Sequence, residues 1–186
     1  MSRFSITALP LAGLQLVERQ RLGDSRGSLT RLFCADELAC AGWTSAVAQI
    51  NLSRTTNRGT VRGMHFQRPP HAEMKLVTCL RGEVWDVAVD VRADSPSFLH
   101  WHAERLSADN DRALLIPQGF AHGFQALTDD VELLYCHSAA YVPHAEAGLN
   151  PLDSRLAIAW PLAVGDLSAS DAGRPLIESG FAGVRL

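Results

Sequence analysis

The chain has 186 residues, of which 47% are hydrophobic and 20% are charged, a balance typical of a globular protein. The formal net charge of −3 excludes a broadly basic surface, so we expect no nucleic-acid partner. No apolar run approaches the ~18 residues of a membrane-spanning helix, so we expect no membrane partner. Neither a linker nor a composition break divides the chain, which predicts a single domain over residues 1–186.

The first fifteen residues carry little positive charge, and Thr7 and Pro10 interrupt their apolar residues, which is unlike a signal peptide. The four cysteines form no CxxC pair, and we interpret them as reduced and mostly buried. Both observations predict a cytoplasmic protein.

Short apolar or alternating runs follow one another along most of the chain, with turn residues between them. The predicted strands are Leu14–Val17, Ser28–Phe33, Ser45–Ser53, Val61–Phe66, Lys75–Leu80, Glu83–Val91, Phe98–Leu106, Arg112–Ile116, Gly123–Ala126 and Val131–His137. This pattern predicts an all-β sandwich or barrel. A short helix is predicted over Asp36–Cys40, and the chain becomes loop-like after Trp160.

Two turns have identifiable glycines. Leu80–Glu83 predicts a tight hairpin in which Gly82 has a positive φ. In the loop that begins at Pro117, Pro and Gly precede His122 and carry it onto the next strand. A histidine in that position can point into the mouth of a barrel, where small ligands bind.

The densest cluster of reactive residues is the segment 62–67, followed by Lys75, the only lysine. On a regular strand, Gly63, His65 and Gln67 share one face, and Arg62 lies on the other. A face with Gly, His and Gln suits a polar cavity. The alternative is a half-buried histidine that has only a structural role.

Several other polar residues have a structural and a functional interpretation. Asp86 and Asp90 lie on one face of an apolar strand, where each needs a cationic or hydrogen-bonding partner unless that face is solvated. Tyr135 and Tyr141 are either amphipathic core or edge residues or site residues. Asp171, in a serine-rich segment, is typical of a local turn or cap.

A metal site has to be weighed against these interpretations. His100 and His102 have the spacing that places two imidazoles on one strand face, with Glu104 and His122 as further candidate ligands. This spacing is common by chance, and the neighbouring Arg105 suggests an exposed, charged edge. We therefore expect no metal.

Taken in order, these segments resemble the dTDP-4-dehydrorhamnose 3,5-epimerase family, whose members have a cupin-like jelly roll, or double-stranded β-helix. The resemblance runs from about residue 14 to about residue 176. The segments that carry it are Gly23–Gly27, Gln49–Ser53, Val61–Gln67, Met74–Val77, Arg81–Arg92, Ser95–Pro96, Ile116–Phe124, Tyr135, Tyr141, Asp153, Trp160–Pro161 and Leu167–Asp171.

The resemblance implies epimerisation of a nucleotide-linked 4-keto-6-deoxy hexose at C3, C5 or both, without a cofactor. It implies that His65 is the base, that Asp171 orients it, that Lys75 stabilises the enolate and that Tyr135 is the acid on the far face of the sugar. The implied substrate-binding residues are Arg26, Gln49, Asn51, Arg62, His122 and Tyr141, with Arg26 and Arg62 on the diphosphate. Members are dimers with strands that cross between subunits, so the resemblance also implies a homodimer.

The chain departs from the family pattern at a few positions. Leu29 and Arg31 replace a common Phe and Glu that help to seat the base, which leaves the nucleotide open. Glu73 replaces the usual Gln and His71 is added, which implies a changed rim or dimer contact. The alternative functions are a sugar-nucleotide 3,4-ketoisomerase, a non-catalytic sugar- or nucleotide-binding jelly roll and a metal-dependent dioxygenase.

Overall fold

The structure is a computed structural model that describes residues 2–177 and 181–186. Its helices are short: α1 (Ala35–Leu38) and α2 (Ala169–Ala172), with 3-10 turns at Ala39–Ala41 and Pro143–Ala145. The strands are β1 (Phe4–Ala8), β2 (Gln15–Arg19), β3 (Arg21–Asp24), β4 (Gly27–Thr30), β5 (Gln49–Thr55), β6 (Thr60–Gln67), β7 (Lys75–Arg81), β8 (Glu83–Asp90), β9 (Trp101–Ser107), β10 (Arg112–Ile116), β11 (Phe120–Ala126), β12 (Val131–His137), β13 (Glu146–Gly148) and β14 (Asp166–Leu167).

The strands form two main sheets. The first has the order β1-β2-β10-β7-β12-β5, and the second has the order β13-β6-β11-β8-β9. Pairing is antiparallel throughout these two paths, and β14 joins β6 in parallel. Neighbours within a sheet are seldom neighbours in sequence, as expected of a jelly roll. β3 and β4 form a separate hairpin.

The main core lies between the two sheets. Val77, Leu114 and Leu133 of the first sheet belong to one buried cluster with Val84 and Phe124 of the second. This burial accounts for the near-continuous apolar runs of the central strands. The all-β, cupin-like jelly roll predicted from the sequence is therefore confirmed.

Most predicted strands correspond to observed ones. Arg112–Ile116 and Val131–His137 are correct to the residue, and Gly82 has the predicted positive φ of 73°. The strand predicted over Ser28–Phe33 corresponds to β4, which ends at Thr30 and forms the second half of the β3–β4 hairpin, so residues 31–33 were wrongly included. The short strands β1, β3, β13 and β14 were missed.

Two further sequence predictions concern the helices and the cysteines. The helix predicted at Asp36–Cys40 corresponds to α1 and the 3-10 turn that follows it. All four cysteines are free, but only Cys79 and Cys136 are buried, and Cys40 is exposed. Within the described ranges, no helix is both long and apolar enough to cross a membrane.

Candidate active site

A cavity of about 620 Å³ opens between the two sheets. His65 enters it from β6 of the second sheet, and Tyr135 enters it from β12 of the first. Lys75, His122 and Asn51 also line this cavity. The jelly roll therefore presents a histidine and a tyrosine from opposite walls to whatever occupies the space between them.

Arg62 and His65 face the same cavity, which corrects the expectation that they lie on opposite faces of the strand. The pairing of β6 with β11 shifts register here: His65 lies opposite His122, whereas Arg62 lies opposite Phe124. Two residues of β6, Gly63 and Met64, thus lie opposite the single residue Gly123 of β11. This arrangement is a β-bulge in β6. The extra residue breaks the period of two and turns both side chains to one side.

Two glycines permit this bulge. Gly63 has a φ of 132°, and a Cβ placed on it would lie 2.5 Å from the Cα of Gly123. A Cβ on Gly123 would in turn lie 2.8 Å from the carbonyl oxygen of Arg62. The backbones approach so closely that neither position accommodates a side chain.

His65 is paired with Asp171, as the family resemblance implied. Its Nε2 lies 2.6 Å from Oδ1 of Asp171, and the other carboxylate oxygen accepts the backbone N–H of Gly63 at 3.3 Å. Asp171 is buried in the first turn of α2, where the Ser168 hydroxyl accepts its backbone N–H at 3.0 Å. The local-turn interpretation of Asp171 was incomplete, because the helix turn aims its carboxylate at the imidazole.

Burial lowers the pKa of His65 below its ordinary value, and the hydrogen bond to Asp171 opposes this shift. The imidazole is consequently neutral near pH 7. A carboxylate is an acceptor only, so Nε2 carries the proton and donates it to Asp171. Nδ1 is left with a free lone pair, and the side chain remains 41% exposed towards the cavity.

Lys75 is held beside the histidine strand. Its ammonium donates to the backbone carbonyl of His65 at 3.1 Å and forms an ion pair with Glu73 at 3.1 Å. Both side chains are more than 90% buried. Glu73 thus lies in the wall of the cavity. The expectation that a Glu in place of the usual Gln at this position changes a rim or dimer contact was wrong.

His122 and Asp86 form a second buried histidine–carboxylate pair, with Nε2 2.8 Å from Oδ1. Asp90, the other acid of β8, is bound by Arg92 and by the hydroxyls of Ser95 and Ser97. The prediction that both acids have cationic or hydrogen-bonding partners is confirmed. Only Asp86 is paired with a side chain of the cavity.

The Tyr135 hydroxyl lies 3.2 Å from the hydroxyl of Ser53 on the neighbouring strand β5. Burial raises the pKa of Tyr135 well above its ordinary value. Its ring contacts the ring of His122 edge-on, with a centroid distance of 5.9 Å. The phenol is therefore a fixed, protonated group on the wall that faces His65.

The mouth of the cavity carries three further residues that the resemblance assigned to the substrate. Gln49 donates to Asn51 at 3.1 Å and accepts the backbone N–H of Tyr141 at 3.0 Å. The half-exposed Tyr141 donates to Glu146, which also binds Arg174. These bonds place Gln49, Asn51 and Tyr141 together at the rim.

Arg26 is not brought to the cavity of its own chain. It lies at the turn of the β3–β4 hairpin, 88% exposed, and pairs with Asp24. Arg31 follows this hairpin and pairs with Glu37. On β9, His102 bonds Glu104 at 2.9 Å, and no group of three or more potential metal-ligating residues occurs in the described ranges.

The sequence analysis did not single out His137 or Glu146, which also line the cavity. His137 lies two residues after Tyr135 on the same strand, and the two rings are stacked with a centroid distance of 6.0 Å. The period of two along β12 was a sufficient signal for His137. Glu146 follows a turn and had no such signal.

The fold and the cavity together define a cupin-like jelly-roll protein whose cavity holds histidine–carboxylate pairs opposite a partly buried tyrosine. The model of the dTDP-4-dehydrorhamnose 3,5-epimerase family matches residues 8–179, nearly the whole chain. The chain belongs to this family.

Individual relatives agree with this assignment. The dTDP-4-dehydrorhamnose 3,5-epimerase of Salmonella typhimurium is 40% identical over 92% of this chain and 93% of its own length. The dTDP-4-dehydrorhamnose 3-epimerase of Streptomyces niveus is also 40% identical, over 88% and 79% of the two chains. The dTDP-6-deoxy-D-glucose-3,5-epimerase of Legionella pneumophila, solved in complex with dTDP-4-keto-L-rhamnose, superposes with a TM-score of 0.90 at 36% identity and covers 98% of this chain and 99% of that one.

Proposed function

We propose that this protein epimerises a dTDP-linked 4-keto-6-deoxy hexose at C3, C5 or both. The observation that carries the proposal is the placement of His65 and Tyr135 on opposite sheets around one cavity. Inversion of a carbon centre requires that a proton leave one face and return to the other. Family membership supplies the substrate class.

The first step is proton abstraction. The hydrogens on C3 and C5 are α to the C4 ketone, so their loss gives an enolate. Nδ1 of the neutral His65 accepts the proton while Asp171 holds the ring orientation and stabilises the imidazolium. Lys75 donates a hydrogen bond to the enolate oxygen. Its charge is offset by Glu73, so Lys75 acts as a directed donor rather than as a free cation.

The second step is reprotonation from the other wall. Because burial keeps the phenol protonated, Tyr135 is available as the acid when the enolate carbon becomes basic. Ser53 holds the hydroxyl in position. Proton return from the Tyr135 side inverts the configuration, and no cofactor takes part in either step.

Arg62 holds the diphosphate in this proposal. It lines the cavity beside His65 because of the bulge, and its guanidinium fork matches two phosphate oxygens at once. The other residues assigned to substrate binding are Gln49, Asn51, His122 and Tyr141.

The assembly we propose is a homodimer in which the β3–β4 hairpin of each chain reaches its partner. Leu29 on the hairpin is 72% exposed, and Ile50 and Leu52 on the edge strand β5 are 61% and 50% exposed. Exposed apolar side chains on the hairpin and on an open sheet edge favour burial against another chain. Arg26 then contacts the substrate of the partner rather than its own.

Mixing two inactive variants tests this arrangement. Hybrid dimers of Arg26→Ala and His65→Asn contain one cavity with both residues intact, so co-refolding should restore activity that neither variant has alone. A monomeric parent, or hybrids that stay inactive, would contradict the shared cavity.

We further propose that the chain forms one domain. We also propose a cytoplasmic location, which the four free cysteines support.

The function itself is tested by the products from dTDP-4-keto-6-deoxyglucose. NMR coupling constants should show inversion at C3, C5 or both, and exhaustive chelation should leave the rate unchanged. A 3-keto product would identify a ketoisomerase. Tight binding without turnover would identify a binding module, and loss of activity on chelation that iron restores would identify metal chemistry.

A further inference from the structure

Two buried polar atoms in the cavity wall have no partner in the described part of the chain. They are Oε2 of Glu73 and Nε2 of His137. Both residues border the cavity, and both lie next to Lys75: Glu73 through its ion pair, and His137 because it lies opposite Lys75 in the pairing of β12 with β7. An unpaired acceptor and an unpaired ring nitrogen therefore occur in one neighbourhood.

The protonation states of these groups are complementary. Burial and the neighbouring Lys75 lower the pKa of His137 to about 4, so the imidazole is neutral at pH 7 and carries one N–H. A carboxylate accepts hydrogen bonds and cannot donate them. A bond from Nε2–H of His137 to Oε2 of Glu73 satisfies both atoms, whereas separation leaves two desolvated polar groups.

The other two histidines that line the cavity are each paired with a carboxylate. His65 and His122 each direct Nε2 at a buried carboxylate, Asp171 and Asp86 respectively. In each pair the carboxylate fixes the tautomer and leaves Nδ1 as the remaining ring nitrogen. Glu73 also binds Lys75, so a bond to His137 would place its carboxylate between two cavity residues.

We propose that Glu73 and His137 form a third carboxylate–histidine pair and that His137 is a specificity-determining residue that accepts a hydrogen bond from a hydroxyl of the substrate sugar. The ring of His137 is stacked on that of Tyr135, so it lies on the same wall as the proposed acid. Its Nδ1 has a lone pair and no proton, so it selects a donor. The inference rests on the proposed function for the identity of the sugar.

The candidate hydroxyls are few. A 4-keto-6-deoxy hexose linked through C1 has hydroxyls only at C2 and C3. A site with a buried acceptor discriminates against a ligand that lacks the matching donor, because the acceptor then loses water without replacement. The pair should therefore disfavour the analogue that is deoxy at one of these two carbons.

Calorimetric titration with non-reacting ligands tests the contact without any turnover. The ligands are dTDP-6-deoxyglucose and its 2-deoxy and 3-deoxy analogues, and the proteins are the parent, His137→Phe and the control His144→Phe, whose histidine is exposed and outside the cavity. His137→Phe keeps the stacked ring and should weaken binding of dTDP-6-deoxyglucose by about five- to tenfold, the value of one hydrogen bond. For one of the two deoxy analogues, His137→Phe should leave the binding affinity unchanged. The control His144→Phe should bind all three ligands with the affinity of the parent.

A loss of the same factor for all three ligands, or no loss for any, would overturn the proposal. The tautomer supplies a second test: ¹⁵N spectra of the parent should show His137, identified by its absence in His137→Phe, as neutral and protonated at Nε2 at pH 7. An Nδ1-protonated or charged ring would also overturn the pairing. Because none of these measurements requires catalysis, failure of the epimerase proposal would appear separately, as a parent that binds these ligands but does not invert the substrate.

Discussion

His65 on β6 and Asp171 on α2 are 106 positions apart in sequence, and their side chains meet at 2.6 Å. The contact exists because β14 pairs in parallel with β6 and delivers the short α2 helix to the back of the histidine strand. Ser168 caps that helix and fixes the direction of the carboxylate. In the proposed mechanism the two residues form a unit in which His65 exchanges protons and Asp171 sets its tautomer and basicity.

The pH dependence of activity should report this unit. As the proposed base, His65 must be neutral, so kcat/KM should fall as the pH drops through its pKa, which burial lowers. The Asp171 carboxylate raises that pKa, so Asp171→Asn should move the acidic limb of the profile to lower pH. The plateau value of kcat/KM should also be lower in Asp171→Asn, by a factor smaller than the ~10²–10⁴-fold contribution of a general base. An acidic limb that stays in place, or that moves to higher pH, would contradict a positioning role.

Tyr135→Phe should separate the two half-reactions. The variant loses only the hydroxyl bonded to Ser53, and His65 remains in place. We expect exchange of substrate hydrogens with solvent to continue while the yield of inverted product collapses. Tyr141→Phe is the matched change at the rim, and it should raise KM without altering the ratio of inversion to exchange. Equal losses of exchange and inversion in Tyr135→Phe would argue against Tyr135 as the acid.

The two arginines should affect nucleotide recognition differently. Arg62→Ala should raise KM for dTDP-, UDP- and GDP-linked substrates by a common factor, because the diphosphate is common to all of them. Arg31 lies after the β3–β4 hairpin and pairs with Glu37. Arg31→Glu should instead change the preference between bases. A common factor for both variants would show that Arg31 does not read the base.

The bulge that aligns Arg62 with His65 should be intolerant of side chains. Gly63→Ala places a Cβ 2.5 Å from the backbone of Gly123 at a φ of 132°. Strain and overpacking should together reduce the free energy of unfolding by about 2–4 kcal/mol, measured by chemical denaturation. Gly27→Ala is the control, since it has a φ of 140° but open space around it, and it should cost less. Equal costs would mean that backbone strain alone, rather than the contact with Gly123, limits this site.

The sequence predicted those features that depend on local pattern. Alternation located β10 and β12 to the residue, and the cost of burying a bare carboxylate predicted partners for Asp86 and Asp90. Features that depend on an exception to the pattern were not predictable in this way. The period of two placed Arg62 on the wrong face because the bulge at Gly63 adds one residue.

Long-range contacts were also beyond the local pattern. The contact of Asp171 with His65 depends on a parallel strand pair that has no local signature, so only the family resemblance indicated it. For Arg26 the family resemblance was not sufficient. It assigned Arg26 to the substrate, whereas within its own chain Arg26 lies exposed on the β3–β4 hairpin.

Deuterium incorporation from heavy water into dTDP-4-keto-6-deoxyglucose tests the central claim most directly. The parent protein should label C3, C5 or both, and the labelled carbons identify the centres that it inverts. His65→Asn keeps a polar side chain of similar size, so the variant should fold like the parent while incorporation slows by ~10²–10⁴-fold. A His65→Asn variant that incorporates deuterium at the rate of the parent would contradict the assignment of His65 as the base.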